Sequence, residues 1–212
     1  MSNVILINDQ KQAGESILER LTKYFKTEEI FLAGGMLREH YFNRAGEDFD
    51  IYMECPQQVD SSIAELMING LEGFEDFSIM TSESYVGGYN NLAVDFVLEG
   101  KFKRHSYSTN ILRDNKVQII FLKTNTMPVY AYLQDVFCCS LSKVWKQYQR
   151  HTVYHGHFLE NILSRKIKFD WSHFEEINYD YIKKILKRYP EFEVDESTIG
   201  NYLRELSKEA YR

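Results

Sequence analysis

Apolar residues recur every three or four positions between residues 10 and 26, which predicts an amphipathic helix. A short, mainly apolar run at residues 29–33 predicts a strand, and this run ends at a pair of glycines. Helical character resumes at residues 36–42, and residues 48–51 then alternate polar and apolar side chains, as a half-buried strand does. The beginning of the chain therefore predicts a helix, a strand, a short helix and a second strand.

Helical and strand patterns of apolar residues continue to alternate further along the chain. A helix is predicted at residues 57–71, with Ile63, Leu66 and Met67 facing inward. Further strands are predicted at residues 77–80, 92–98 and 116–123, separated by the turn signals Gly87-Gly88 and Asp114-Asn115. Pro128 is suited to the first turn of a helix at residues 129–133, and residues 135–145 fit either a continuation of that helix or one more strand.

The character of the chain changes near residue 150. Beyond it, segments rich in Lys, Glu and Tyr predict helices at residues 157–163, 174–189 and 197–211. We therefore expect an α/β (α+β) core at residues 1–150, with a mixed sheet and flanking helices, and a helical C-terminal region at residues 151–212.

Composition narrows the class of protein. The 212 residues are 44% hydrophobic and 26% charged, which is ordinary for a globular protein. No signal pattern and no apolar run of the roughly 18 residues that span a bilayer occurs, so we expect no membrane partner. Three cysteines cannot form a disulfide framework, which favours a cytoplasmic location. The net charge of −6 argues against general coating of nucleic acid but permits a local basic patch.

The segment from Gly34 to Asp50 carries the clearest chemistry. Glycines allow a backbone to approach phosphate oxygens closely, because they have no Cβ. Asp48 and Asp50 are two positions apart on a predicted strand and should project to the same face, while Phe49 and Ile51 enter the core. Two adjacent carboxylates suit Mg²⁺ or Mn²⁺, which would also contact substrate phosphates. On its own, a glycine pair is more often an ordinary turn, and an Asp-x-Asp segment is more often a solvated strand face.

This pattern resembles the signature of the DNA polymerase beta-like nucleotidyltransferase superfamily. It is especially similar to the head domain of tRNA CCA-adding enzymes and bacterial poly(A) polymerases, which have Gly-Gly-x-Val-Arg-Asp, a loop and Asp-x-Asp. The same frame here reads Gly34-Gly35-Met36-Leu37-Arg38-Glu39 and then Asp48-Phe49-Asp50, with Glu39 in place of the family's Asp. No counterpart of the downstream Asp/Arg motif that selects the nucleotide is found, and the chain is too short for the tRNA-binding body of those enzymes.

A looser resemblance links the second half of the core to viral and phage nucleotidyltransferase-like proteins. It rests on Val117-Gln118-Ile119-Ile120 and on the segment from Asp135 to Cys139. The superfamily normally has a third catalytic carboxylate. Asp95, flanked by apolar residues on a predicted strand, is the first choice, and Asp135 is its rival. If Gln118 occupies that strand position instead, only two acids remain.

The resemblance implies that the chain transfers a nucleoside monophosphate from an NTP, ATP or CTP, to an acceptor hydroxyl. Asp48, Asp50 and Asp95 would bind the metal, Gly34 and Gly35 would cradle the phosphates, and Arg38 would hold the triphosphate. The alternative for Arg38 is a surface salt bridge with Glu39 or Glu47. An RNA 3′ end is the favoured acceptor, followed by a protein hydroxyl and by a small molecule such as an antibiotic. A catalytically inactive module that binds a nucleotide or a protein is the rival of a different class.

Overall fold

A seven-stranded mixed sheet forms the centre of the molecule. The computed structural model describes residues 3–80, 93–106, 111–123, 127–135, 137–171 and 178–195. The strands of the sheet are β1 (Ile30–Ala33), β2 (Asp48–Glu54), β3 (Phe74–Ile79), β4 (Val94–His105), β5 (Leu112–Leu122), β6 (Val144–Lys146) and β7 (Val153–Tyr154). Their order is β3-β4-β5-β2-β1-β6-β7, and β2 runs parallel to β5 whereas the other neighbours are antiparallel.

Helices cover both faces of this sheet. Those described are α1 (Asn3–Phe25), α2 (Gly35–Tyr41), α3 (Ser61–Asn69), α4 (Val129–Asp135), α5 (Gly156–Ser164) and α6 (Tyr179–Arg188). A small parallel pair, β8 (Lys166–Ile167) and β9 (Glu193–Val194), lies apart from the main sheet. The predicted α/β fold class is confirmed. The predicted helix at residues 197–211 and the Gly87-Gly88 turn lie outside the described residues.

Two hydrophobic clusters form the core, one on each face of the sheet. The larger cluster contains alternate residues of β2 and β5, such as Phe49, Ile51 and Val117, and packs against α1 and α3. The smaller cluster contains the residues that point the other way, such as Tyr52 and Ile120, and packs against α4. Because side chains alternate along a strand, each face receives every second residue.

Several local predictions were wrong. The inward face of α3 is formed by Ala64 and Ile68, whereas Ile63 and Leu66 are exposed. The helix is short and begins at the cap Asp60, and only the side chains four residues apart that face the sheet are buried. Asp114-Asn115 is no turn but part of β5, because the long pairing with β4 continues to Leu112.

Residues 135–145 take neither of the two predicted forms alone. Helix α4 ends at Asp135, a 3₁₀ turn covers Ser140–Ser142, and β6 follows at Val144. Beyond it, β7 adds the last strand of the sheet, and apolar residues of the C-terminal region, including Phe158 and Tyr189, join the larger cluster. The boundary near residue 150 stays a prediction of the sequence.

Candidate functional site

Asp48 and Asp50 lie on one face of β2, at the start of the strand. Phe49 and Ile51, which alternate with them, are only 1% and 0% exposed. Asp48 and Asp50 both keep part of their surface open to solvent. Strand alternation therefore places both carboxylates beside each other at one end of the sheet face, as their spacing predicts.

Polar residues of the neighbouring strands lie beside Asp48 and Asp50 and form two rows across the sheet. Asp50 lies beside Gln118 on β5, which lies beside Glu99 on β4. The Gln118 amide donates a hydrogen bond of 2.7 Å to Glu99 Oε2, and Lys116 Nζ lies 2.9 Å from the same oxygen. Asp48 lies directly beside Lys116. The site therefore combines three carboxylates, one amide and one ammonium group on a single face.

Burial and mutual repulsion disfavour the state in which Asp48 and Asp50 are both ionised. Burial and the nearby charge of Asp48 raise the pKa of Asp50 to about 8, against the attraction of Arg38, Lys116 and Lys184. Burial also raises the pKa of Asp48, although Lys116 opposes this shift. Burial acts in the same direction on Glu99, but hydrogen bonds from Gln118 and Lys116 outweigh it and lower its pKa. A cation between Asp48 and Asp50 would remove their repulsion, so the donor set fits a hard divalent ion.

The described residues do not present a preformed triad. Among them, no group of three or more His, Cys, Asp or Glu side chains is arranged to hold a metal ion. Glu99 is separated from Asp50 by Gln118, a distance of roughly 10 Å between backbones two strands apart. The residue directly beside Asp50 on the adjacent strand is thus an amide and not a carboxylate.

The two glycines differ in what they contribute. Gly34 has φ 76°, which favours glycine, and its N–H donates to the Val144 carbonyl at 2.9 Å. A Cβ at Gly34 would lie 3.8 Å from Oδ2 of Asp50, so this turn passes directly over the carboxylate. A Cβ at Gly35 would meet only the end of the Arg38 side chain, at 3.7 Å. Gly34 is therefore required by the backbone, while Gly35 borders open space.

Arg38 lies in a buried position and is held by the protein. Its Nε donates to the Tyr189 hydroxyl at 2.8 Å and its Nη1 to Ser142 Oγ at 2.7 Å. Glu39 lies 3.5 Å away, so the predicted alternative of a salt bridge with Glu39 is present, but it is buried and not at the surface. Only Nη2 is directed towards Gly35.

Asp95 does not converge with the pair. It is the extra residue of a β-bulge between Val94 and Phe96, where the β4 register shifts against β5. Four positions separate it from Glu99, which is about 13 Å along a strand. Its exposed carboxylate lies beside Cys55, where burial and then the Asp95 charge raise the thiol pKa to about 11. The bulge changes the direction of the Asp95 side chain, and the assignment of Asp95 as a third metal ligand stays a prediction.

Asp135 lies elsewhere as well. It is exposed at the end of α4, and its charge acts on Lys143 and His155, on the β6 side of the sheet. Neither of the two acids predicted to complete the site therefore lies in the row of Asp50. Glu99 was not considered, although the alternation of β4 from Phe96 onwards offered a signal for it.

Helix α6, the last helix of the described residues, forms a wall of the site that the sequence did not indicate. Arg188 lies 3.0 Å from Glu39 Oε1 and 2.5 Å from Glu47 Oε1. The Tyr189 hydroxyl, just after α6, accepts a hydrogen bond from Arg38 and donates one to Glu39. Lys184 lies 3.6 Å from Glu47, the residue before Asp48. These contacts connect residues more than 130 positions apart.

Solved structures with a similar fold include CCA-adding enzymes. One, a complex with CTP, has a TM-score of 0.58 and 12% identity, over 98% of this chain and 46% of that chain. An apo form has a TM-score of 0.51 and 13% identity, over 92% and 42%. The Thermotoga maritima enzyme complexed with tRNA has a TM-score of 0.50 and 12% identity, over 93% and 42%. The chain spans less than half the length of these structures. No protein-family model and no curated protein matches it.

These similarities define the class of fold. The chain shares its fold with part of these CCA-adding enzymes, and it carries Asp48 and Asp50 on one sheet face under a glycine turn. No helix of the described residues is long and apolar enough to cross a membrane.

Proposed function

We propose that this chain is a metal-dependent nucleotidyltransferase that moves a nucleoside monophosphate from an NTP to an acceptor hydroxyl, with release of pyrophosphate. The observation that carries this proposal is the placement of Asp48 and Asp50 on one face of β2, directly below Gly34. A carboxylate pair whose pKa values are raised by burial and by mutual repulsion is suited to a metal that also contacts phosphates.

Asp48 and Asp50 would hold Mg²⁺ or Mn²⁺, which supplies positive charge to the triphosphate when it is bound. Gly34 and Gly35 form the turn beside this position, and the open space at Gly35 leaves room for phosphate oxygens. Arg38 would offer Nη2, since its Nε donates to Tyr189 and its Nη1 donates to Ser142. Its contact with the NTP would therefore come from a guanidinium that is fixed in advance.

Glu99 is the carboxylate that we assign to the acceptor in place of Asp95. It is in the same row as Asp50, and its lowered pKa keeps it ionised. Lys116 and Gln118 hold its Oε2 atom, so its orientation is defined. An ionised, oriented carboxylate can accept the proton of an attacking hydroxyl.

A second candidate function is a nucleotide-binding module without transferase activity. The observation that favours it is Gln118, which stands beside Asp50 where a third acid would complete a metal-binding triad. Such a module would bind a metal–nucleotide complex through Asp48 and Asp50 and would not release pyrophosphate. Binding is common to both candidates, and turnover separates them.

For the acceptor we favour an RNA 3′ end and for the NTP either ATP or CTP. The support is the similarity to CCA-adding enzymes, of which one structure contains CTP and another tRNA. A hydroxyl of a protein is the next candidate, and a small molecule such as an antibiotic is the third. The identities of 12–13% support a shared fold and leave the acceptor to experiment.

The test uses the full chain with Mg²⁺, each α-labelled NTP in turn and a total cell lysate. Label in RNA supports the favoured acceptor, and label in protein supports the second. A chain carrying both Asp48→Asn and Asp50→Asn provides the control. If calorimetry shows metal-dependent NTP binding but no label is transferred and no pyrophosphate is released, the binding module replaces the enzyme. If the double variant transfers label as well as the parent does, the proposed site is wrong.

A further inference from the structure

Several cationic side chains of the described residues surround the carboxylate pair, and most are firmly held. Arg38 is bonded to Tyr189 and Ser142, and Lys116 lies 2.9 Å from Glu99. Arg188 bridges Glu39 and Glu47. Moving any of these three groups would leave a buried or half-buried partner without its hydrogen bonds, which is unfavourable.

Lys184 is held differently. Its Nζ lies 3.6 Å from Glu47 Oε2, beyond hydrogen-bond distance, and the two side chains are 63% and 61% exposed. An ion pair of this kind contributes little to stability. Glu47 is bonded independently by Arg188 at 2.5 Å. Lys184 can therefore leave Glu47 without leaving that carboxylate unpaired.

The position of Lys184 also brings its charge to the site. Its contact Glu47 directly precedes Asp48 in the chain, so the Lys184 ammonium lies at the start of the strand that carries both carboxylates. Its helix is fixed against the site wall by Tyr181, 3.3 Å from Ser142, and by Arg188. A flexible ammonium on a fixed helix provides a mobile point charge with three donors, which suits phosphate oxygens.

We propose that Lys184 is a phosphate-binding residue of this site, and that it leaves Glu47 to contact the β and γ phosphates of a bound nucleoside triphosphate. This inference rests on the proposed function. It assigns part of the triphosphate contact to α6 and not to the glycine turn alone. The ligand class follows from charge. A triphosphate adds several negative charges beside Asp48, Asp50 and Glu47, and Lys184 is an exposed cation of the described residues that can move to compensate them.

The experiment compares Lys184→Gln with Lys183→Gln. Lys183 is the neighbouring residue on α6, lies at the same 3.6 Å from an acid, Asp180, and is 75% exposed. Calorimetry with Mg²⁺ measures binding of a non-hydrolysable ATP or CTP analogue and of the matching monophosphate. We expect Lys184→Gln to weaken triphosphate binding about tenfold, with monophosphate binding and melting temperature unchanged. Lys183→Gln should bind both ligands as the parent does.

Equal effects of the two variants, or equal weakening of monophosphate and triphosphate by Lys184→Gln, would overturn the inference while leaving the proposed function intact. If Lys184→Gln melts early, Lys184→Arg provides the second variant, and it must restore most of the triphosphate affinity because it keeps the charge. If the parent chain binds no triphosphate in the presence of Mg²⁺, this inference and the proposed function fail together.

Discussion

One face of the sheet carries an apolar row and a polar row of side chains. The two rows lie on the same three strands and are two residues apart along each strand. In the first row, Tyr52, Ile120 and Val97 are between 0% and 3% exposed under α4. In the next row, two residues or about 7 Å away, lie Asp50, Gln118 and Glu99. The strands and their pairing are the same in both rows, and what differs is the helix that covers them.

The contrast shows how a polar site is built on a hydrophobic sheet. Helix α4 and Phe137 exclude water from the row of Tyr52, whose ring lies 5.8 Å from Tyr132 and 5.4 Å from Phe137. Beyond this cover, the face is bordered by the Gly34 turn and by α6, which supply small or charged groups. Strand alternation selects the face, and the covering elements decide where along it carboxylates are tolerated.

The first prediction compares one residue from each row, Asp50 and Tyr52. Asp50→Asn should lower the rate of nucleotide transfer by about a thousandfold, roughly 4 kcal/mol in the barrier, because the metal loses a ligand. Tyr52→Phe, one row away on the same strand, should transfer at close to the parental rate. The measurement is release of pyrophosphate under single-turnover conditions. Similar rates for the two variants would show that the polar row has no special role.

The second prediction compares two positions on the same face of β5, one under α4 and one beyond it. Ile120→Asn places an amide in a fully buried apolar position and should reduce the free energy of unfolding by roughly 2–4 kcal/mol. Lys116→Asn, at a position that is half exposed, should cost less than about 1 kcal/mol. Urea denaturation of both variants measures the difference. A cost of the same size at both positions would refute the role assigned to α4.

The third prediction concerns the acid that completes the polar row. Glu99→Gln should slow transfer at least about tenfold, or 1.4 kcal/mol in the barrier, because the acceptor proton loses its carboxylate. Asp95→Asn and Asp135→Asn serve as matched controls with little effect, since both residues lie away from Asp50. If Asp95→Asn is the slow variant, the register of β4 does not describe the active state.

The last prediction concerns the dependence of stability on pH in the metal-free protein. The pKa of Asp50 is raised to about 8 in the folded state, whereas in the unfolded chain it is ordinary, near 3.9. Between these values the folded state binds more protons, so stability falls as pH rises, by at most about 1.4 kcal/mol per pH unit. Below both values, and above pH 8, the slope should vanish.

Thermal unfolding from pH 4 to pH 9 in the presence of a chelator measures this slope. Asp50→Asn should flatten it and melt higher than the parent at pH 8, because it removes the buried charge. Mg²⁺ should also reduce the slope, since a bound cation favours the ionised pair. If the stability of the parent protein instead rises with pH across this range, the pKa of Asp50 is not raised by burial and by the charge of Asp48.

Much of the fold was predictable because its signals are local. The strands β1 and β2, the short helix between them and the inward direction of Phe49 and Ile51 all follow from periodicity over a few residues. Other features depend on partners distant in the sequence. The extension of β5 through Asp114-Asn115 arises from its pairing with β4, which overrides a local turn signal.

The pair of carboxylates and the glycine turn follow from local sequence, since the i, i+2 spacing of Asp48 and Asp50 sets their common face whatever surrounds them. Their neighbours depend on tertiary contacts. Lateral register places Gln118 and Glu99 beside Asp50, and a single bulge residue removes Asp95 from that row. Packing of α6 adds Lys184 and Arg188. Alternation is a property of one strand, whereas register and docking depend on contacts between segments far apart in the chain.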